Sequence, residues 1–178
     1  MPRPRKARVR PGYLIRLTLA VLPLLTAGVV VGTPANAGPG EYDFVALTNS
    51  ARAGAGLAPY AVAGDLSAVA RGWAARMAAS HSLYHNPGLY SQVSGWSAVG
   101  ENIGYGGSVS VVNGLLMNSP THRANILSRT YSQIGVGTAV ASDGSLWVVE
   151  DFRLPNGASP PPAAAPPAPS YVGSAATA

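Results

Sequence analysis

The sequence predicts an α+β fold in which helices precede a C-terminal antiparallel hairpin. Two observations support this prediction. Apolar residues recur at helical spacing in the first part of the domain, and beyond Tyr131 the spacing changes to the alternation of a β-strand. A series of helices followed by paired strands is typical of a domain whose helices pack on a small sheet.

The first two predicted helices each have one apolar face. The first covers residues 41–53, and Phe44, Leu47 and Thr48 share a face. Asp65 is the expected N-cap of the second helix. Apolar residues recur there at intervals of three and four, as in a helix with one buried stripe. The stripe consists of Leu66, Val69, Ala70, Trp73, Ala74 and Met77.

The second half of the chain contains a third helix and the hairpin. The helix is expected over residues 108–116. Residues 134–140 alternate between larger and smaller side chains, and residues 146–152 form a second β-rich run. The Asp143-Gly144 pair between these runs is typical of the tight turn of an antiparallel hairpin.

The first 37 residues have the three parts of a secretory signal peptide. Residues 1–16 are basic, residues 17–31 are uncharged and mostly apolar, and residues 35–37 form the small-x-small pattern of a cleavage site. We expect cleavage after Ala37, which leaves no membrane segment. The alternative is an uncleaved anchor, but a spanning helix needs about 18 to 20 apolar residues. This run is shorter, and Pro23 interrupts it.

Removal of the signal peptide changes the charge of the chain. The whole sequence has 12 basic and 7 acidic side chains and a formal net charge of +5. Six of the basic residues and none of the acidic residues precede Ala37, so six basic and seven acidic residues remain. The six remaining arginines are scattered, whereas binding to a phosphate backbone needs clustered cations. The composition therefore argues against nucleic acid as a partner.

The rest of the chain divides into three parts. Residues 38–40 (Gly-Pro-Gly) are predicted to be a flexible linker, and residues 41–153 are long enough for one domain with its own core. Residues 154–178 are rich in proline and alanine and carry no charge, so we expect a disordered tail. The absence of cysteine excludes disulfides, thiol catalysis and Cys-based metal sites.

The chain has three histidines, His81, His85 and His122. His81 and His85 would share a helix face only if the second helix continued through them. The HExxH motif is absent, because Ser82 occupies the position of its glutamate.

His122 is expected at the third position of a short helix, after Ser119 as N-cap and Pro120 as first residue. The positive end of the helix dipole favours neutral imidazole there, the form that binds metal or accepts a proton. The alternative is that His122 only helps to close the start of the helix.

Glu101 is the candidate carboxylate, and it lies in a glycine-rich segment with no other charge. The alternative role is structural, as an acceptor for backbone N–H groups. The chain has neither the G-x-S-x-G motif of a serine nucleophile nor a G-x-G-x-x-G nucleotide-binding loop.

Four ordered motifs resemble the bacterial branch of the CAP superfamily, which comprises cysteine-rich secretory proteins, antigen 5 and pathogenesis-related 1 proteins and is also called the SCP domain. They are LYHN (83–86), GENI (100–103), NSPTHRANIL (118–127) and IGVG (134–137). Residues 47–52 and 147–152 also fit, so the likeness covers nearly all of residues 41–153. It implies the fold of that family, a three-layer α–β–α sandwich.

The resemblance also implies a ligand cleft lined by two histidines and two glutamates, in which the histidines can hold a divalent metal such as zinc. Residue by residue, the histidines fall on His85 and His122, and the first glutamate falls on Glu101. The second glutamate has no match, because its region offers only Asn118 and Ser119. His81 matches no motif, and we expect it to be an exposed residue at a helix end.

Three functions remain open. The first is a non-catalytic binding module that holds a divalent metal, a small apolar or lipid ligand, or a cell-envelope partner. The missing glutamate favours this function. The second is a metal-dependent hydrolase with a zinc-activated water and Glu101 as general base, although catalytic zinc usually has three protein ligands. The third is a structural protein of the envelope.

Overall fold

The computed structural model describes residues 37–162. The predicted signal peptide, apart from Ala37, and residues 163–178 of the predicted tail lie outside the described residues. In chain order, the described elements are α1 (Glu41–Gly54), β1 (Ala61–Val62), α2 (Gly64–Ser80), α3 (Leu89–Gln92), β2 (Trp96–Gly106), α4 (Val109–Asn118), α5 (Pro120–Ile126), β3 (Gln133–Val140) and β4 (Leu146–Pro155).

The four strands form one sheet in the order β1-β3-β4-β2. β1 runs parallel to β3, whereas β4 is antiparallel to both of its neighbours. The pairing of β3 with β4 confirms the predicted hairpin. Gly144 in its turn has a φ of 82°, a left-handed conformation that glycine adopts without strain.

Side-chain alternation along β4 places its residues on the two faces of the sheet in turn. Even-numbered residues face α1, α4 and α5, and odd-numbered residues face α2. The fold is therefore α+β with three layers, as predicted. The first core includes Phe44, Val112, Leu116, Ile126, Ile134, Val136, Val148 and Phe152. The second includes Ala70, Trp73, Ala74, Met77, Ile103, Trp147 and Val149.

α2 lies directly on the backbone of β3. A Cβ atom added to Gly137 would lie 2.0 Å from the backbone nitrogen of Arg71, and one added to Gly135 would lie 2.3 Å from the backbone of Leu66. Neither position has room for a side chain. The alternation of glycine with larger residues in β3 thus lets the helix pack against the sheet at this distance.

β2 is the longest of the three elements that the sequence analysis missed, and the other two are β1 and α3. β2 contains Gly100, Gly104 and Gly106, and glycine inside a strand weakens the sequence signal for that strand. Each of these glycines has a packing reason. A Cβ at Gly100 would lie 2.5 Å from the hydroxyl of Tyr131, and Cβ atoms at the other two would lie 3.0–3.1 Å from Val112.

Two expectations about the helices are corrected. Asp65 is not the N-cap of α2, because the helix already begins at Gly64. Its carboxylate instead binds the guanidinium of Arg153, and this hydrogen bond is the main reason that the pKa of Asp65 is lowered. In α1, Thr48 is buried as expected, but Leu47 is 37% exposed because it lies at the margin of the buried face.

The domain is also slightly longer than predicted at both ends. Residues 38–40 pack against β3, where Thr138 Oγ1 donates a hydrogen bond to the carbonyl of Pro39 (2.9 Å), so they are not a free linker. At the other end, β4 continues past residue 153 to Pro155, and Leu154 is buried. None of the helices within residues 37–162 is long and apolar enough to cross a membrane.

Candidate functional site

His85 lies in the loop that follows α2. The helix ends at Ser80, and His81 takes a left-handed conformation with a φ of 49° as its C-cap. The chain therefore turns away before His85, and the two histidines do not share a helix face. Trp73 in α2 fixes the loop, because its indole N–H donates to the carbonyl of Tyr84 (2.9 Å).

Glu101 holds the ring of His85. Its side chain is only 5% exposed on β2, whereas that of His85 is 63% exposed. Glu101 Oε1 lies 2.7 Å from His85 Nδ1 and also accepts the backbone N–H of Asn86 (2.9 Å). Because an ionised carboxylate only accepts, these contacts assign the imidazole proton to Nδ1. Within residues 37–162, Nε2 of His85 has no hydrogen-bond partner and can act as a ligand.

His122 is the third residue of α5, as predicted, with Pro120 at the first position. Its pKa is lowered, mainly by burial and further by the charge of nearby His85. The expected neutral imidazole is therefore supported, and burial is its main physical cause. The effect of His85 on His122 indicates that the two rings lie near each other.

Polar side chains from four elements act as a scaffold for this cleft. Asn102 Nδ2 donates to the carbonyl of His122 (3.0 Å) and to Glu150 Oε2 (3.0 Å). Asn125 Nδ2 donates to Asn102 Oδ1 (2.9 Å), and Thr48 Oγ1 donates to Glu150 Oε1 (2.9 Å). These bonds join α1, β2, α5 and β4, so they fix the helix that carries His122 relative to the strand that carries Glu101.

Asp151 is a buried carboxyl group that the sequence analysis did not identify as part of the site. It is directly opposite Glu101 in the pairing of β4 with β2. Burial, together with the charge of Glu101, raises the pKa of Asp151 to about 8. An available signal was the presence of two adjacent acidic residues inside an apolar strand, since buried charges are rare unless paired.

The other predicted residues lie further from the centre of the site. Asn118 ends α4 with an exposed side chain, and Ser119 lies between α4 and α5. Neither side chain forms a hydrogen bond in the described part of the chain. His81 is an exposed helix-end residue, as expected, and its Nε2 lies 3.2 Å from the hydroxyl of Ser142.

A pocket of about 220 Å³ opens beside His85. It is lined by His85, Asn86, Leu89, Tyr90, Gly100 and Glu101. The volume is below the 300–1,000 Å³ of typical small-molecule sites, so it suits an ion or a small polar group better than a lipid.

A family model described as "CAP: Cysteine-rich secretory protein family" matches residues 45–152. This chain belongs to the CAP family. The match spans His85, Glu101, His122 and Asp151, so the site described above lies within the CAP domain. A search of curated proteins finds no match to the chain.

Solved structures with the same fold include bacterial CAP proteins. An outer surface protein from Borrelia burgdorferi is 16% identical, with a TM-score of 0.59 over 64% of this chain and 91% of that one. An extracellular protein containing an SCP domain from Bacillus anthracis is 26% identical, with a TM-score of 0.54 over 64% of this chain and 39% of that one. NaASP2, solved with Zn²⁺, is 13% identical, with a TM-score of 0.55 over 68% and 83% of the two chains.

CAP membership implies a divalent metal, and His85 and His122 are the two candidate ligands for it. In residues 37–162, no group of three or more His, Asp or Glu side chains is arranged to hold a metal ion. His85 nevertheless has Nε2 free, and His122 stays neutral to a lower pH than an ordinary histidine. The donor set thus fits a divalent ion with two imidazole ligands, and it does not fit a catalytic zinc site with three protein ligands.

Proposed function

We propose that this CAP protein is an exported, non-catalytic binding module whose cleft binds a divalent metal ion through His85 and His122. The observation that carries the proposal is the bond from His85 Nδ1 to Glu101. A carboxylate on one ring nitrogen fixes the tautomer and makes the other nitrogen a better metal ligand. Zinc bound there would leave coordination positions open for a ligand or partner.

The number of ligands favours binding over hydrolysis. A hydrolytic zinc normally has three protein ligands and activates a water molecule. Here Glu101 Oε1 already accepts two hydrogen bonds, so this oxygen is poorly placed to act as a general base. Binding therefore requires less rearrangement of the observed contacts than catalysis does.

Export is supported by the signal-peptide pattern of residues 1–37 and by the extracellular relative from Bacillus anthracis. The protein would then act in the cell envelope or outside the cell. N-terminal sequencing of exported material should find Gly38 as the first residue. Retention of Met1 would contradict cleavage.

Calorimetric titration with Zn²⁺ tests the metal site. His85→Ala and His122→Ala should each weaken binding strongly, whereas His81→Ala is the matched control and should leave affinity unchanged. Affinity should fall below about pH 6, because protonated imidazole cannot bind a metal. Zinc binding that survives loss of His122, or that needs His81, would contradict the assignment. If no divalent metal binds, a small ligand or an envelope partner becomes the leading candidate for the cleft.

A further inference from the structure

Three buried carboxyl oxygens next to the cleft have no hydrogen-bond partner in the described part of the chain. They are Glu101 Oε2 and both oxygens of Asp151. The two residues are directly opposite each other on β2 and β4. Cβ atoms of directly opposite residues are about 4.5 to 5.5 Å apart, so the two carboxyl groups are within reach of each other. An unpaired buried polar atom is costly, and three at one place call for a common explanation.

No positive charge compensates Asp151 within the described residues. Arg153 is two residues further along β4 on the same face, but its guanidinium binds Asp65, Gln133 and the carbonyl of Ser94. Next to Asp151 in the sheet is Gly135, where the backbone of α2 packs closely.

Two arginines lie on α2. Arg71 is bound to Glu41, and Arg76 is exposed, with its guanidinium 5.7 Å from the centroid of the Trp73 ring. Glu101 is thus the ionisable group that acts on Asp151. Glu101 also contacts His85, but His85 Nδ1 lies 2.7 Å from Oε1 of Glu101 and leaves Oε2 without a partner.

Two carboxylates at this separation cannot both be ionised without a large cost. Glu101 accepts two hydrogen bonds and Asp151 accepts none, so the proton is better placed on Asp151. The raised pKa of Asp151, about 8, agrees with a neutral acid at physiological pH.

We propose that Asp151 is a positioning residue for the cleft, which as a neutral carboxylic acid donates a hydrogen bond to Glu101 Oε2. This bond keeps Oε1 on His85 Nδ1 and on the backbone N–H of Asn86. One proton would thereby satisfy Glu101 Oε2 and one oxygen of Asp151. The effect of this bond on metal affinity rests on the proposed function, whereas the bond itself is independent of that function.

Infrared spectroscopy of the metal-free protein at pH 7 tests the protonation state. The C=O stretch of a neutral carboxylic acid should be present in the wild type and lose intensity in Asp151→Asn. Because Glu150 is a second buried carboxyl group, the comparison is repeated in a Glu150→Gln background, where the Asp151 signal should persist. No loss of intensity in Asp151→Asn would overturn the proposal.

NMR of the His85 Nδ1 proton tests the positioning role. Asp151→Asn retains a donor for Glu101 Oε2 and should keep this proton protected, whereas Asp151→Val should expose it to exchange. Zinc affinity should be near wild type in the Asn variant and about ten- to a hundredfold weaker in the Val variant. Equal protection of the proton in both variants would contradict the role. If wild type binds no zinc, the proposed function fails, but the infrared and NMR results still decide this inference. If the Val variant does not fold, the infrared comparison of wild type with Asp151→Asn decides it.

Discussion

Glu150 and Asp151 are consecutive residues of β4, both fully buried, yet they have opposite environments. Glu150 faces α1 and α5 and accepts hydrogen bonds from Thr48 and Asn102. Asp151 faces α2 and has no hydrogen-bond partner within residues 37–162. A strand delivers successive side chains to opposite faces, so one chain segment can supply a structural carboxyl group and a second carboxyl group at the cleft.

The difference extends to how each face holds its helices. Around Glu150, side-chain hydrogen bonds join α1, β2, α5 and β4. On the other face, α2 packs closely over Gly135 and Gly137 and through the apolar stripe that includes Trp73. Two ion pairs, Asp65 with Arg153 and Arg71 with Glu41, also join it to β4 and α1. Both faces have an apolar core, but the first adds a buried hydrogen-bond network and the second adds close backbone packing with ion pairs at its margin.

Replacing one glycine by alanine on each face of the sheet should produce the largest difference in stability. Gly137→Ala would place Cβ against the backbone of α2, which a side-chain rotation cannot relieve, and should destabilise the protein by more than about 3 kcal/mol. At Gly104 the three nearest atoms to an added Cβ all belong to side chains, with Val112 the nearest at 3.1 Å, so Gly104→Ala should cost about 1 kcal/mol. Urea denaturation measures both. Equal costs would show that α2 is not held more closely than α4.

The pH dependence of stability tests the unpartnered carboxyl group. The pKa of Asp151 is about 8 in the folded protein against 3.8 for an ordinary aspartate, so between these values the folded state holds a proton that the unfolded chain has lost. Stability should therefore fall as pH rises through this window, by up to about 1.4 kcal/mol per pH unit from this group.

Asp151→Asn should remove that contribution to the slope when denaturation is measured from pH 5 to pH 8. Asp143→Asn is the control, because the pKa of Asp143 is lowered and its titration lies below this range. The same slope in wild type and Asp151→Asn would show that Asp151 is ionised throughout.

Truncation just beyond the end of β4 should have the smallest effect on stability. A chain that ends after Gly157 keeps the bond from the backbone N–H of Asn156 to the carbonyl of Gly95 (2.8 Å), and its melting temperature should change by no more than a few degrees. A chain that ends after Arg153 loses buried Leu154 and should melt measurably lower. A large drop after removal of only residues 158–178 would show that the tail contributes to the fold.

The comparison of the two faces also shows what the sequence could predict. Helical periodicity predicted α1, α2 and α4, and alternation around Asp143-Gly144 predicted the hairpin, because these signals are local. β2 was missed because its glycines serve tertiary packing against Tyr131 and Val112, which no local pattern reveals. The predicted N-cap at Asp65 was wrong because α2 already begins at Gly64, and a distant arginine binds the Asp65 carboxylate instead.

For the site, motif order predicted His85, Glu101 and His122. The structure joins His85 to Glu101 by a hydrogen bond, and the charge of His85 acts on His122. Their role in binding remains a prediction. Asp151 could not be found in this way, because its relation to Glu101 depends on the register between two strands that are 50 positions apart in the chain.

The outer edge of β2 has a further consequence for the behaviour of the protein in solution. As the last strand of the sheet, it presents backbone groups to which another chain could add a strand. Asn125 donates its side-chain amide to the carbonyl of Glu101 (3.3 Å) on this strand. One asparagine therefore occupies a pairing position that an incoming strand would need, which hinders strand addition at this point of the edge.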